Sequence, residues 1–288
     1  MARRGTPRLG KRPLAPPPEA LHRGGSGSPL VLLHGFTDTW RTWSAVLPAL
    51  EKHHEVFAPT LPGHHGGEAF AEGVPMSIEA TADVVERVMD EAGIERAHLA
   101  GNSLGGWLAL ELAVRERALS VLALCPAGGW YHGSPEANAT LAYFRRSHAG
   151  LRLLTPTIAR AIASRPRLRA LAFRDVLAHP ERLPAPRAAE MLDGAKGCSI
   201  LLEALEMGAR PDAFSDLGPI DCAVTIAYGT RDRLIRWPGH YGRMHELLPD
   251  GTKWLALEDV GHMPQWDDPQ RVAELVLQTA GSTVSPAS

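Results

Sequence analysis

Ser103 stands between Gly101 and Gly105 in the run GNSLGG, where an apolar stretch of strand character passes into one of helical spacing. A serine with a glycine two residues to either side fits a strand-turn-helix elbow. Such a turn drives the serine toward backbone angles that are costly for any residue with a Cβ, and the flanking glycines keep neighbouring strand and helix from colliding. The hydroxyl is thereby held in open space, and the N–H of Leu104 lies at a helix amino terminus, where partial positive charge favours an oxyanion. A serine hydroxyl is a weak nucleophile at neutral pH. It needs an imidazole to take its proton, and the imidazole needs a carboxylate to fix its tautomer and stabilise its charged form. Asp232, in AYGTRD, and His262, in VGHMPQWDDP, supply both, each just past an apolar run. The chemistry these types and this order predict is nucleophilic acyl transfer. Asp216, Asp221 and Asp259 compete for the carboxylate's role, but the first two precede their strand and the third is only three residues from the histidine.

Residues so far apart meet only if the elements between them bring them to one edge. From Ser28 onward short apolar runs alternate with amphipathic segments, each changeover marked by Gly or Pro, which is the rhythm of parallel strands joined by helices. PLVLLHGF, HEVFAPT, RAHLAGN, LSVLALCPAGG, CAVTIAYG and TKWLAL read as strands. WRTWSAVLPALEK, SIEATADVVERVMDEA, LGGWLALELAVRE, PGHYGRMHELLP and the stretch from Pro269 to Thr279 read as helices. Ser77 is placed to cap the second of these, and Gly93 to end it. Between about 129 and 216 the alternation stops, and Ala, Leu and Arg are punctuated by Pro156, Pro166, Pro180, Pro184 and Pro186. Because proline cannot continue a helix interior, this insertion is expected as several short helices. Ser103, Asp232 and His262 then all fall at the carboxyl ends of parallel strands, the edge where open α/β sheets gather their sites.

With HGF after the first clear strand, GNSLGG, GTRD and VGHMPQWDDP, the chain resembles the lid-bearing, serine-nucleophile branch of the α/β-hydrolase fold family over about residues 28–279. The resemblance implies a mostly parallel sheet with helices on both faces. It implies a core of residues 28–128 and 217–280 and a helical lid of residues 129–216; the basic, proline-rich composition of residues 1–27 reads as a flexible arm, and residues 281–288 as a short tail. It implies a second oxyanion donor, the N–H of Phe36 in HGF, opposite that of Leu104, and a mechanism without metal or organic cofactor. Trp130, at the entrance to the lid, and Asn102, beside the serine, are the candidate substrate contacts. The family's haloalkane dehalogenases and epoxide hydrolases carry an aspartate where Ser103 stands, which argues against those branches. Carboxylic esters are the default substrate. Carbon–carbon bond hydrolases with a similar elbow, cofactor-free perhydrolases of the haloperoxidase kind, and a non-catalytic ligand receptor on the same scaffold are the alternatives. The family commonly has an early strand hairpin before HGF, and only EALHRGGSGS and the arm precede it here, so the first edge of the sheet is expected to be reduced.

The remaining composition bounds the reading. A chain of 288 residues, 44% hydrophobic, with a formal charge of -2, gives no electrostatic reason for a nucleic acid or an acidic membrane as partner and leaves small acyl substrates open. The basic amino terminus lacks the apolar run of a secretory signal, and no window approaches the roughly 18 apolar residues of a membrane span. Cys125, Cys198 and Cys222 are odd in number and widely spaced, which fits buried thiols in a reducing cytoplasm rather than a disulfide framework. His34 is expected to brace the oxyanion loop, the pairs His53-His54 and His64-His65 to be loop residues, and the arginines of RPRLRALAFRD to be a solvated helix face. Oligomeric state leaves no trace in the sequence.

Overall fold

The computed structural model describes residues 19–281, so residues 1–18 of the expected arm and 282–288 of the expected tail lie outside it. Strands β1 (Leu21–Gly25), β2 (Ser28–Leu33), β3 (His54–Pro59), β4 (Ala97–Asn102), β5 (Ala118–Leu124), β6 (Ala223–Gly229) and β7 (Lys253–Leu257) form one sheet in the order β1-β3-β2-β4-β5-β6-β7. All neighbours run parallel except β1, which is antiparallel to β3. The register aligns Leu33 with Gly101, Asn102 with Leu124, Leu124 with Ala227, and Gly229 with Leu257. Every parallel strand therefore leaves the sheet along one edge.

Helices cover both faces. Because side chains alternate along a strand, Val31 and Leu33 face a core built with α2 (Ile78–Glu91) and α3 (Leu104–Val114). Leu30 and Leu32 face the opposite core, with α1 (Leu47–Leu50) and α11 (Pro269–Thr279). The Ser77 hydroxyl accepts from Ala80 N–H at 3.0 Å to cap α2, whose Ile78, Ala82, Val85 and Met89 turn inward. Helix α3 has nine of its eleven residues buried, as a helix wedged between sheet and neighbours must.

Two expectations are corrected. The arm is the first: among the described residues one strand, β1, precedes the HGF strand where a hairpin would give two, all five of its residues pair with β3, and Arg23 bonds Glu55 and lies 4.5 Å over the Phe57 ring. The ordered core thus begins ahead of residue 28, inside the expected arm. The single helix expected near residues 40–52 is instead a 3-10 turn, Trp40–Trp43, followed by the one turn of α1, and the stretch near 238–249 divides likewise into a 3-10 turn and α9 (Gly242–Leu247).

Between β5 and β6 the chain inserts α4 (Pro135–Leu153), α5 (Pro156–Ser164), α6 (Pro166–Ala172), α7 (Ala185–Gly197) and α8 (Leu201–Met207). Proline opens α4, α5 and α6, where a missing N–H is tolerated. The insertion has its own apolar centre around Leu154, Phe173, Leu177 and Leu192, which closes onto Met263 just after β7, ahead of α10 (Pro264–Asp267). Among the described residues no helix is long and apolar enough to cross a membrane.

Candidate active site

The elbow forms where β4 turns into α3. Ser103 has φ 56° and ψ -116°, a conformation that costs a non-glycine residue about 1–3 kcal/mol. The turn is locked by backbone bonds: Ser103 N–H donates to Leu124 O at 2.9 Å, and Ser103 O accepts from Ala127 N–H at 3.0 Å. Its glycines are sterically required, since a Cβ at Gly101 would lie 2.0 Å from Gly105 O and one at Gly105 would lie 2.1 Å from Leu33 O. The Ser103 hydroxyl caps nothing on α3 and borders the cavity above the sheet edge.

His262 and Asp232 come together beside it, both buried, with Nδ1 and Oδ2 2.8 Å apart. The other carboxylate oxygen of Asp232 accepts from the N–H groups of Leu234 (2.7 Å) and Ile235 (2.9 Å), so the acid is fixed in place. A carboxylate at Nδ1 requires the proton there and leaves Nε2 as the basic atom. His262 lines the same cavity as Ser103, and among the described residues no hydrogen bond yet joins the two side chains. Such bonds are often long in empty sites and tighten with substrate. The rival carboxylates are engaged elsewhere: Asp259 holds Arg231 and His179 on the exterior, and Asp216 holds Arg243.

Among the described residues neither Phe36 N–H nor Leu104 N–H has an acceptor in the protein. Gly35 permits this approach, for a Cβ there would lie 3.2 Å from the Ser103 Cβ. His34 braces the loop from below: its Nδ1 meets Gly35 O at 2.8 Å and its Nε2 accepts from Leu61 N–H at 2.8 Å. Burial lowers its pKa to about 4, and the neutral ring fits one donor and one acceptor position. His64, stacked edge-on against His34 and Phe36, is lowered by burial to about 3.

Asn102 borders the same cavity. Its Nδ2 donates to His262 O (2.9 Å) and Leu124 O (3.1 Å), and its Oδ1 accepts from Gln265 at 3.2 Å, so the amide is also bonded within the protein. Gln265 in turn donates to Thr42 Oγ1 at 2.8 Å. This buried chain joins the elbow, the histidine loop and the turn after β2, and its partners lie too far apart in the chain for sequence spacing to reveal. Cys125, at φ 44°, lies within 4.8 Å of the liganding atoms of Asp232 and His262. Its thiol is pushed well up by burial, and Asp232 and His262 are bonded to each other.

The cavity has two lobes meeting at Ser103. The larger, about 430 Å³, runs beneath the insertion past Leu151, Leu154, Ile162, Phe173, Met191 and Leu192. The smaller, about 80 Å³, is lined by Met76, Ala127, Trp130, Leu141 and Phe214, and Trp130 packs edge-on against Phe214 and His240. Phe36, Phe144 and Leu234 border both. Among the described lining residues there is no lysine or arginine, and Asp38 is neutralised by an ion pair with buried Arg187.

Residues 30–275 match the alpha/beta hydrolase family. The chain is 33% identical over 206 residues to an epoxide hydrolase, EphH, of Mycobacterium tuberculosis, covering 70% of this chain and 94% of that one. It is 35% identical over 98 residues to a 2-hydroxy-6-oxo-2,4-heptadienoate hydrolase of Pseudomonas putida, covering 33% of this chain and 35% of that one. Its fold superposes on the meta-cleavage product hydrolase of Pseudomonas fluorescens IP01 with TM-score 0.68 and 21% identity, covering 91% and 93% of the two chains.

Proposed function

This chain belongs to the alpha/beta hydrolase family, and from that premise we propose that it is a serine hydrolase of neutral, apolar carboxylic esters with Ser103, His262 and Asp232 as its triad. In this reading Ser103 Oγ attacks the ester carbonyl carbon as His262 Nε2 takes its proton, and Asp232 stabilises the imidazolium. The N–H groups of Phe36 and Leu104 hold the oxyanion, each worth about 3 kcal/mol in comparable sites. The intermediate collapses by breaking the C–O bond to the alcohol, which leaves with the proton from His262. A water then gives its proton to His262, attacks the acyl carbon and releases the acid, and Ser103 regains its hydrogen. The helices inserted between β5 and β6 act as the lid over the acyl chain, the larger lobe holding the acyl group and the smaller, with Trp130, a short alcohol.

The observation that carries the proposal is a strained serine bordering a cavity shared with an imidazole whose Nδ1 is held by a buried carboxylate. Serine also bears on epoxides: its attack on an epoxide would leave an ether, which no later water could release, whereas its attack on an ester leaves a hydrolysable acyl bond. A second reading, carbon–carbon hydrolysis of a dienoate, is favoured by the 98-residue similarity to the heptadienoate hydrolase. A dienoate carries a carboxylate, and an apolar lining with no free cation suits a neutral ester better. Ser103→Ala should lower turnover of nitrophenyl butyrate and octanoate by more than 10³-fold while preserving the fold, and a fluorophosphonate should label the parent protein and not the variant. Turnover of the dienoate in preference to both esters would select the second reading, and unchanged ester turnover in Ser103→Ala would remove the first.

A further inference from the structure

Residues 137–174 contain eight arginines and neither Asp, Glu nor Lys, in a chain whose overall charge is only -2. They cover almost all of α4 and the whole of α5 and α6 in the insertion. Arg169 is buried and donates to Ala163 O and Glu181 O, and Arg174 lies 3.8 Å from Asp175. The other six are exposed, and among the described residues none has an acidic partner. Helical spacing groups them: Arg145 and Arg152, seven apart, share a line on α4 beside that of Arg146 and Leu153, and Arg167 and Leu171 are one turn apart on α6.

Among these charges large apolar side chains stand in solvent: Leu153 is 76% exposed, Leu171 62% and Ile158 47%. Leu153 and Ile158 also line the larger lobe, so this part of the exposed apolar patch borders the active-site cavity. A helix face combining arginines without acids and protruding leucines is what an anionic lipid surface attracts and admits. A second copy of the chain is disfavoured because two such faces repel. An acidic protein would satisfy the charges, but it would not explain exposed apolar side chains, Leu153 and Ile158, that also line the cavity.

We propose that the α4–α6 face docks on an anionic lipid surface and sets the mouth of the cavity against the lipid, so that apolar substrate enters from the bilayer. The whole-chain charge, which taken alone argues against such a surface, averages this face away. The docking does not require the triad to be active, so the two readings fail separately. The inactive full chain, Ser103→Ala, should co-sediment with vesicles of phosphatidylcholine mixed with phosphatidylglycerol, release as salt rises, and ignore vesicles of phosphatidylcholine alone. Each arginine near such a surface weighs about fivefold in partitioning, so Arg145→Gln, Arg152→Gln and Arg167→Gln together should weaken it on the order of a hundredfold. The three Arg→Lys changes should restore it, and in otherwise unaltered protein the Gln variant should turn over a water-soluble short-chain ester as before. Equal binding to neutral and anionic vesicles, undiminished binding by the Gln variant, or capture by polyglutamate with none by anionic vesicles would each overturn the proposal.

Discussion

At the scale of single residues, Ser103, the proposed nucleophile, sets stability against function. Ser103 holds φ 56° although it has a Cβ, and the strain is retained because β4, α3 and the backbone bonds to Leu124 and Ala127 over-determine the turn. Glycine accepts positive φ far more readily than serine or alanine. Ser103→Gly should therefore be about 1 kcal/mol more stable than Ser103→Ala in urea unfolding, with both lacking turnover. Equal stabilities would mean that the turn is not strained. The need for glycine at Gly101 and Gly105 was legible from the sequence because an elbow is a local object, written within six residues. The part played by Asn102 was not legible, because its partner His262 lies 160 positions away.

Elements, rather than residues, decide whether the imidazole arrives at the serine. Asn102 ends β4, Gln265 lies on α10, and Thr42 lies in the turn after β2, so their hydrogen bonds set the elbow against the histidine loop. Removing the Asn102 amide leaves the buried carbonyl of His262 without this donor, at about 1–3 kcal/mol where nothing replaces it, while Leu124 O keeps the Ser103 N–H. Asn102→Ala should lower kcat by about 10- to 100-fold with KM nearly unchanged, because a displaced base hurts chemistry more than binding. A rise in KM at constant kcat would instead return Asn102 to substrate contact. The helix α11 was legible to its ends because Asp268 and Pro269 open it and its apolar residues keep one face. Strand β1 was not legible: LHRGG has no apolar alternation, and it is held by backbone pairing to β3 and by the Arg23–Glu55 bond at a half-exposed edge. The same limit appears in residues 40–52, where helical spacing is present but a Thr39-capped 3-10 turn and Pro48 divide it.

The whole molecule binds the loop that carries Phe36 to its response to acid. The order of strands brings β2's exit and the loop after β3 together, and there His34 and His64 are buried with pKa values lowered to about 4 and about 3, chiefly by burial. In the unfolded chain both imidazoles titrate near the ordinary 6.5, so between 6.5 and about 4 the unfolded state binds protons that the folded state refuses. Folding free energy tracks that difference: the stability due to neutral burial is complete above 6.5 and is lost as pH falls through the window. The shift of His34 corresponds to about 3 kcal/mol by pH 4, and about 2 kcal/mol of it is lost by pH 5. His64 adds to the loss in the same direction, though not independently, since each charged ring would repel the other. Urea midpoints measured from pH 7 to pH 5 should therefore decline steeply, and ester turnover should disappear together with the folded fraction, because the loop carrying Phe36 N–H stands on these two rings. A urea midpoint that stays flat across that range would mean that the two histidines accept protons in place, and that the bond from Leu61 N–H to His34 Nε2 is not what holds the loop.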